Sequence, residues 1–273
     1  MTVDLSGHFK RYEDTQCLEL ARTEDKWLSR ELNGTGEPVL LMSVKEMKRE
    51  DQFHLYGLLQ SVGLEPKTHE FSPSGVKAFS SLSSFRLHGD DIEKFKAICE
   101  DYGPQVREID AKRTVLETGV WQDGRAGNGT VISRMAVSEL SEDKKQSLID
   151  ALHTLGMEPQ ARNSATLGAT VRVSGDDVIG IMKLRKEAIV EGAHWSYQDI
   201  GVKPLYIGEL RGEAENDYTL ISNALQGEKI DANFSRLGGM PAFNVLDEAS
   251  IGKMDNVLHV ESAGAPLLEQ RPK

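Results

Sequence analysis

Phe85-Arg86-Leu87-His88-Gly89-Asp90-Asp91-Ile92 returns later in the chain as Val171-Arg172-Val173-Ser174-Gly175-Asp176-Asp177-Val178. In both stretches apolar residues alternate with polar ones, which marks a strand that buries one face and wets the other. The Gly-Asp-Asp then leads into a helical period, with Ile92, Phe95 and Ile98 in the first copy and Val178, Ile181 and Leu184 in the second. An internal repeat constrains architecture more strongly than any single motif does.

Working outward, Leu59-Gln-Ser-Val-Gly63-Leu-Glu-Pro66 matches Leu152-His-Thr-Leu-Gly156-Met-Glu-Pro159 at a separation of 93 residues. Leu55, Tyr56, Leu59 and Val62 form a helical stripe, repeated by Leu148, Ile149, Leu152 and Leu155. Gly63 and Gly156 suit the left-handed position that closes a helix, and Pro66 and Pro159 block its continuation. The Arg-x-Gly-Asp-Asp match is only 86 residues apart, so the first copy holds seven extra residues, expected in the Ser72–Gly75 loop. A fainter third copy runs from Ile207-Gly208-Glu209-Leu210 through Leu220, Ile221 and Ala224 to Phe243-Asn244-Val245. There Asp247 and Glu248 stand for the paired acids.

Ahead of each first helix lies a short apolar run, such as Val39–Val44, that reads as a buried strand. A last strand is expected at Val106–Ile109, His194–Tyr197 and Val257–Val260. The order is β-α-β-β-α-β, so the chain is expected to be α/β: three tandem ferredoxin-like repeats after an N-terminal helical segment. The segments are 1–37 (helical, on Leu18, Ala21, Leu28 and Leu32), 38–124, 125–200, and 201–273 with a flexible C-terminal tail. Asp123–Gly129 and Gly201–Pro204 are the expected joints.

The chain has 273 residues, a net charge of −11 and no apolar run approaching the ~18 residues of a membrane span. Two cysteines far apart, Cys17 and Cys99, make no disulfide framework. The expectation is a soluble cytoplasmic protein, with signal-less secretion left open. The negative charge, and the absence of aromatic residues where sheets of this kind stack bases, point away from nucleic acid.

For chemistry, three features recur. Glu46, Glu139 and Glu209 follow the first strand of each copy, where they could face a cationic group or simply complement a helix dipole. Arg86 and Arg172 alternate with core residues and so project from the open sheet face, where a guanidinium can grip a carboxylate or phosphate. The paired acids read as helix caps rather than metal ligands. Cys99 reads as a half-buried helical residue rather than a nucleophile; its counterpart is Arg185, which argues against a core position. No nucleophile, dinucleotide, P-loop or metalloprotease motif is present, and no cofactor or metal is expected. The leading expectation is a non-enzymatic binding protein that offers its repeats to a protein partner, with Glu46, Glu139, Glu209, Arg86 and Arg172 as binding residues. Sensing of a small-molecule metabolite held between repeats is the second reading, and an enzyme with a composite site the third.

Overall fold

The computed structural model describes residues 6–31, 36–71, 81–164, 168–199, 204–210, 214–237 and 240–259. The Ser72–Gly75 loop and the C-terminal tail lie outside these. Seven helices and three four-stranded antiparallel sheets make three tandem ferredoxin-like modules. The chain divides into two compact units, Met1–Glu108 and Ile109–Lys273. The first holds one sheet and the second holds two. No helix among the described residues is long and apolar enough to cross a membrane.

In the first unit, α1 (Ser6–Ala21) precedes β1 (Leu28–Glu31) and β2 (Pro38–Ser43). Then come α2 (Arg49–Ser61), β3 (Lys67–Phe71), β4 (Ser81–His88) and the start of α3 (Asp90–Glu117). The sheet order is β1-β2-β4-β3. In the second unit, β5 (Gln122–Arg125), β6 (Val131–Ala136), α4 (Glu142–Thr154), β7 (Gln160–Ser164) and β8 (Gly168–Ser174) give the order β5-β6-β8-β7. Helix α5 (Asp176–Gly192) leads to β9 (Ala193–Asp199), β10 (Pro204–Leu210), α6 (Ala214–Gly227), β11 (Asn233–Leu237), β12 (Met240–Val245) and α7 (Glu248–His259). Here the order is β11-β12-β10-β9. Each module therefore splits a βαβ crossover around a central strand, as the repeat implies.

One feature of the expected order changes. The fourth strand of each sheet precedes its module instead of following it. Val106–Ile109 lies inside α3, which runs through Pro104, and Val257 lies in α7. The helical period explains α3: Phe95, Cys99, Val106, Ala111 and Val115 are all buried. His194–Tyr197 is a strand, but it pairs with β10 of the third sheet. Leu28, expected on a helix, lies in β1 beside Leu41. The Asp123–Gly129 stretch closes the β5–β6 hairpin, with Ala126 N–H donating to Thr130 O at 2.8 Å.

The turn that ends the first helix of each module is the same three times. Leu64 N–H donates to Leu59 O, Met157 N–H to Leu152 O, and Ile230 N–H to Leu225 O, at 2.9–3.0 Å. Such a bond satisfies a carbonyl orphaned at the helix end and needs a left-handed residue before it. That residue is Gly63, Gly156 or Lys229, with φ of 76°, 74° and 57°. The next backbone N–H is held from the second helix. Asp91 Oδ2 accepts from Glu65 N at 3.1 Å, Asp177 Oδ2 from Glu158 N at 2.9 Å, and Ser250 Oγ from Asp231 N at 2.8 Å. In the first two modules the second acid of the pair thus ties a loop and does not cap its own helix. In the third module Asp247 takes the cap, accepting from Ser250 N at 2.9 Å.

Three tryptophans anchor the modules. Trp121 and Trp195 each donate their indole N–H to a carbonyl six residues back, Val115 O at 3.0 Å and Ile189 O at 2.6 Å. Trp27 donates to Thr23 Oγ1 at 3.0 Å. Each stands at the start of a sheet, so an amphipathic ring fills the core while its N–H finds a partner.

Within the second unit, α5 serves two cores. Val178, Ile181 and Leu184 pack under the second sheet, and Ile189 under the third. Between them Arg185 is 1% exposed. It donates to both Asp123 oxygens at 2.5 and 3.1 Å, to Glu228 Oε1 at 2.8 Å and to Trp121 O at 3.2 Å. A Cβ at Gly227 would stand 3.0 Å from Trp121 O and 2.5 Å from Arg185 Cδ, so the helix end fits against the guanidinium only without a side chain.

Burial disfavours an ionised Asp123, yet the hydrogen bonds and charge of Arg185 outweigh it and hold the carboxyl below its usual range. A lowered folded pKa contributes stability above the unfolded value and loses it as pH falls through the folded one. Asp123→Ala is expected to cost about 3 kcal/mol in urea unfolding at pH 7, because it leaves a buried cation short of a partner. At pH 2 the difference from the parent should shrink markedly. An equal loss at both pH values would refute the charge pairing.

Candidate functional site

Alternation along paired strands decides which side chains leave the core. On the second sheet the inner face carries Met135, Val171 and Val173. The open face must then carry Arg134, Arg162 and Arg172. Across its middle the strand partners form the row Gln122, Arg134, Arg172, Gln160. Arg172 donates from Nε and Nη2 to Gln160 Oε1 at 3.1 and 2.7 Å. Arg134 Nε is sheltered from solvent and has no hydrogen-bond acceptor. Arg162 sits opposite Thr170 on the outer strand, two residues along from Gln160. Among the described residues none of these arginines meets a carboxylate, and the strand positions facing this side include no acid. Like charges placed directly opposite one another destabilise a sheet. A row that keeps two facing arginines without a counter-charge is suited to an anion arriving from outside.

The first sheet offers a related row, Leu28, Leu41, Arg86, Lys67. Arg86 Nε also lacks an acceptor. Here an acid stands at the rim: Glu37 lies 3.8 Å from His88 Nδ1. The third sheet breaks the pattern with Ser196, Ile207, Asn244 and Asn233, and its open side buries Leu205, Ile207 and Ala242. Arg86 and Arg172 therefore occupy one place in two modules, and Asn244 holds that place in the third.

The three glutamates are not placed alike. Glu46 and Glu139 are exposed in the turns that join β2 to α2 and β6 to α4. Glu209 lies within β10, opposite His194 and Ala242. Among the described residues no ion pair joins any of them to Arg86 or Arg172. Cys99 is 5% exposed and packs with Phe95 and Trp27, so the position is core in both modules, against the expectation drawn from Arg185. Burial, helped by the charge of Glu24, pushes its thiol up to about 12, which leaves negligible thiolate near neutral pH. No group of three metal-capable side chains converges among the described residues.

Arg134 and Arg162 escaped the sequence reading. The signal was available: Arg134 is the strand partner that the alternation around Ser133 and Met135 implies. What was lacking was the pairing that sets it against Arg172.

No family model matches the chain, and no curated protein matches it. Solved structures with a related arrangement include the N-terminal LAGLIDADG domain of DUF199/WhiA, at 8% identity and TM-score 0.24, covering 56% of this chain and 82% of that one. The I-DmoI complex with DNA and Mn gives 9%, 0.24, 63% and 97%. I-WcaI bound to its DNA recognition sequence gives 9%, 0.23, 60% and 87%. Two of these neighbours hold DNA, against the expectations of a non-enzymatic chain for a protein partner and of no nucleic acid. The physical reason for the second error lies in this chain. A net charge of −11 is a sum over 273 residues, and it concealed a face that holds three arginines and, among the described residues, no acid.

In a Cys17→Ser background, Cys99 should react with a disulfide reagent such as DTNB no faster than the protein unfolds, and immediately in denaturant. Rapid labelling of the folded protein at pH 7.5 would disprove the buried, protonated thiol.

Proposed function

We propose that this chain binds nucleic acid through the phosphate backbone, and that the open face of the second sheet is its principal contact. The observation that supports this reading is the facing pair Arg134 and Arg172, joined by Arg162, on strand positions that among the described residues include no carboxylate. Guanidinium groups favour phosphate because their planar donors match its oxygens, and they stay charged at any working pH. Neighbouring strands lie about 4.8 Å apart, so a four-stranded face spans roughly 14 Å, wide enough to meet several phosphates. Gln122 and Gln160 at the two ends of the row add uncharged donors and acceptors. The acidic remainder of the protein repels a polyanion, which orients the approach and confines contact to the basic face. The first sheet, with Arg30, Lys67 and Arg86, supplies a second surface of the same kind. Two cysteines that form no disulfide suit a reducing compartment such as the cytoplasm.

Fluorescence anisotropy with a labelled 20-base-pair duplex tests this at several salt concentrations. Binding should weaken steeply with salt, and Arg134→Glu with Arg172→Glu should lower affinity by at least about tenfold at fixed salt. The double variant should also flatten the salt slope by about 2. Absence of binding at low salt, or an unchanged slope in the double variant, would refute the proposal.

A further inference from the structure

The opposite, helix-covered side of the second sheet holds a groove of about 480 Å³ beneath α4, at the β7 edge. The three modules can be superposed in register through their shared helix-ending bond, and that comparison explains why the space is open in the second module. Lys145 of α4 corresponds to Gln52 in the first module and Tyr218 in the third, each seven residues before the carbonyl that accepts that bond. By strand pairing, Ala161 opposite Val171 corresponds to Thr68 opposite Phe85 and to Phe234 opposite Phe243.

In the third module this space is filled by rings. Tyr218 stacks on Phe243 at 5.4 Å with 4° between planes, and Phe234 meets both edge-on at 4.6 and 5.5 Å. In the first module Tyr56 lies 6.0 Å from Phe85, and Gln52 turns inward to donate to Val44 O at 2.7 Å. The second module has Ile149, Lys145, Ala161 and Val171 at these places and brings no ring of its own.

We infer that this groove is a ligand site for a small aromatic ring carrying an anionic group, such as an aromatic carboxylate or phosphate. The ring takes the place that Tyr218 and Phe234 fill in the third module, against Ala161, Ala169 and Val171. The anion meets the Lys145 ammonium, which is only 23% exposed. The present partner of that ammonium, Glu142 Oε1 at 2.7 Å, belongs to a side chain 88% exposed, free to swing into solvent when an anion enters. The volume suits a small ligand, and planar stacking with an apolar floor gives selectivity for a ring. This site lies within one module; Arg162 and Thr170 line its rim at the β7 edge, while Arg134 and Arg172 of the nucleic-acid face are not among its walls.

Titration of the full chain with phenylacetate and with phenyl phosphate, followed by methyl NMR and calorimetry, tests the inference. Saturable shifts of the Ile149, Ala161, Ala169 and Val171 methyls are expected, with benzyl alcohol binding at least about tenfold more weakly for want of the charge. Lys145→Gln, the first module's residue, should remove that preference. Ala161→Phe, the third module's residue, should abolish binding while keeping the melting temperature; Lys145→Tyr gives the same readout should Ala161→Phe unfold. Arg134→Glu with Arg172→Glu should bind the probes as the parent does. No saturable shift in the parent, binding retained in the ring-filling variants, or binding lost in the open-face variant would each overturn the site.

Discussion

Arg185 is the constraint on which the second unit depends. A guanidinium at 1% exposure would be untenable alone, because taking a cation out of water costs several kcal/mol that only close partners can return. Asp123 and the Trp121 carbonyl at the entry to β5, and Glu228 just past α6, supply those partners from two distant parts of the chain. The group thereby fixes where the second sheet begins, where α5 passes and where the first helix of the third module stops. An apolar residue could fill the same volume, but it would accept many packings; directional bonds accept one.

Around that point the modules show what the fold requires and what it leaves open. The left-handed turn after the first helix, the donated bond behind it and the clamp on the next N–H recur in all three. Their chemistry is not fixed. Aspartate serves twice and serine once; glycine serves twice and lysine once. What is preserved is the satisfaction of backbone groups that would otherwise be buried without partners. The two sheet faces differ from module to module in the same spirit. The first two sheets turn basic side chains outward, while the third buries an apolar patch in their place. Beneath the sheets, rings that close the third module are missing from the second. Faces free of structural duty are where the modules diverged, and both candidate sites lie there.

The repeat and its periods were readable because amphipathic patterns are local: a stripe at four-residue spacing or an alternation at two needs no knowledge of distant chain. The same reasoning located Arg86 and Arg172 on the open face. It stopped at Arg134, whose importance comes from facing Arg172 across a strand pair, and at Arg185, whose partners lie 43 and 62 residues away. The tryptophans carried a usable signal in their separation of 94 residues between Trp27 and Trp121, close to the 93-residue repeat.

The sequence by itself determined that one strand-and-helix unit occurs three times, with its helical stripes and the alternating strands around Arg86 and Arg172, since these follow from spacing along the chain; the strands expected at Val106–Ile109 and Val257–Val260 are helix instead. Only the tertiary structure decided that each sheet draws its fourth strand from the preceding segment, that an acid from the second helix holds a neighbouring loop in two modules, and that Arg134, Arg162 and Arg172 share the open face of the second sheet. Those outcomes depend on which distant groups meet, and pairing across space leaves no periodic trace in a single chain.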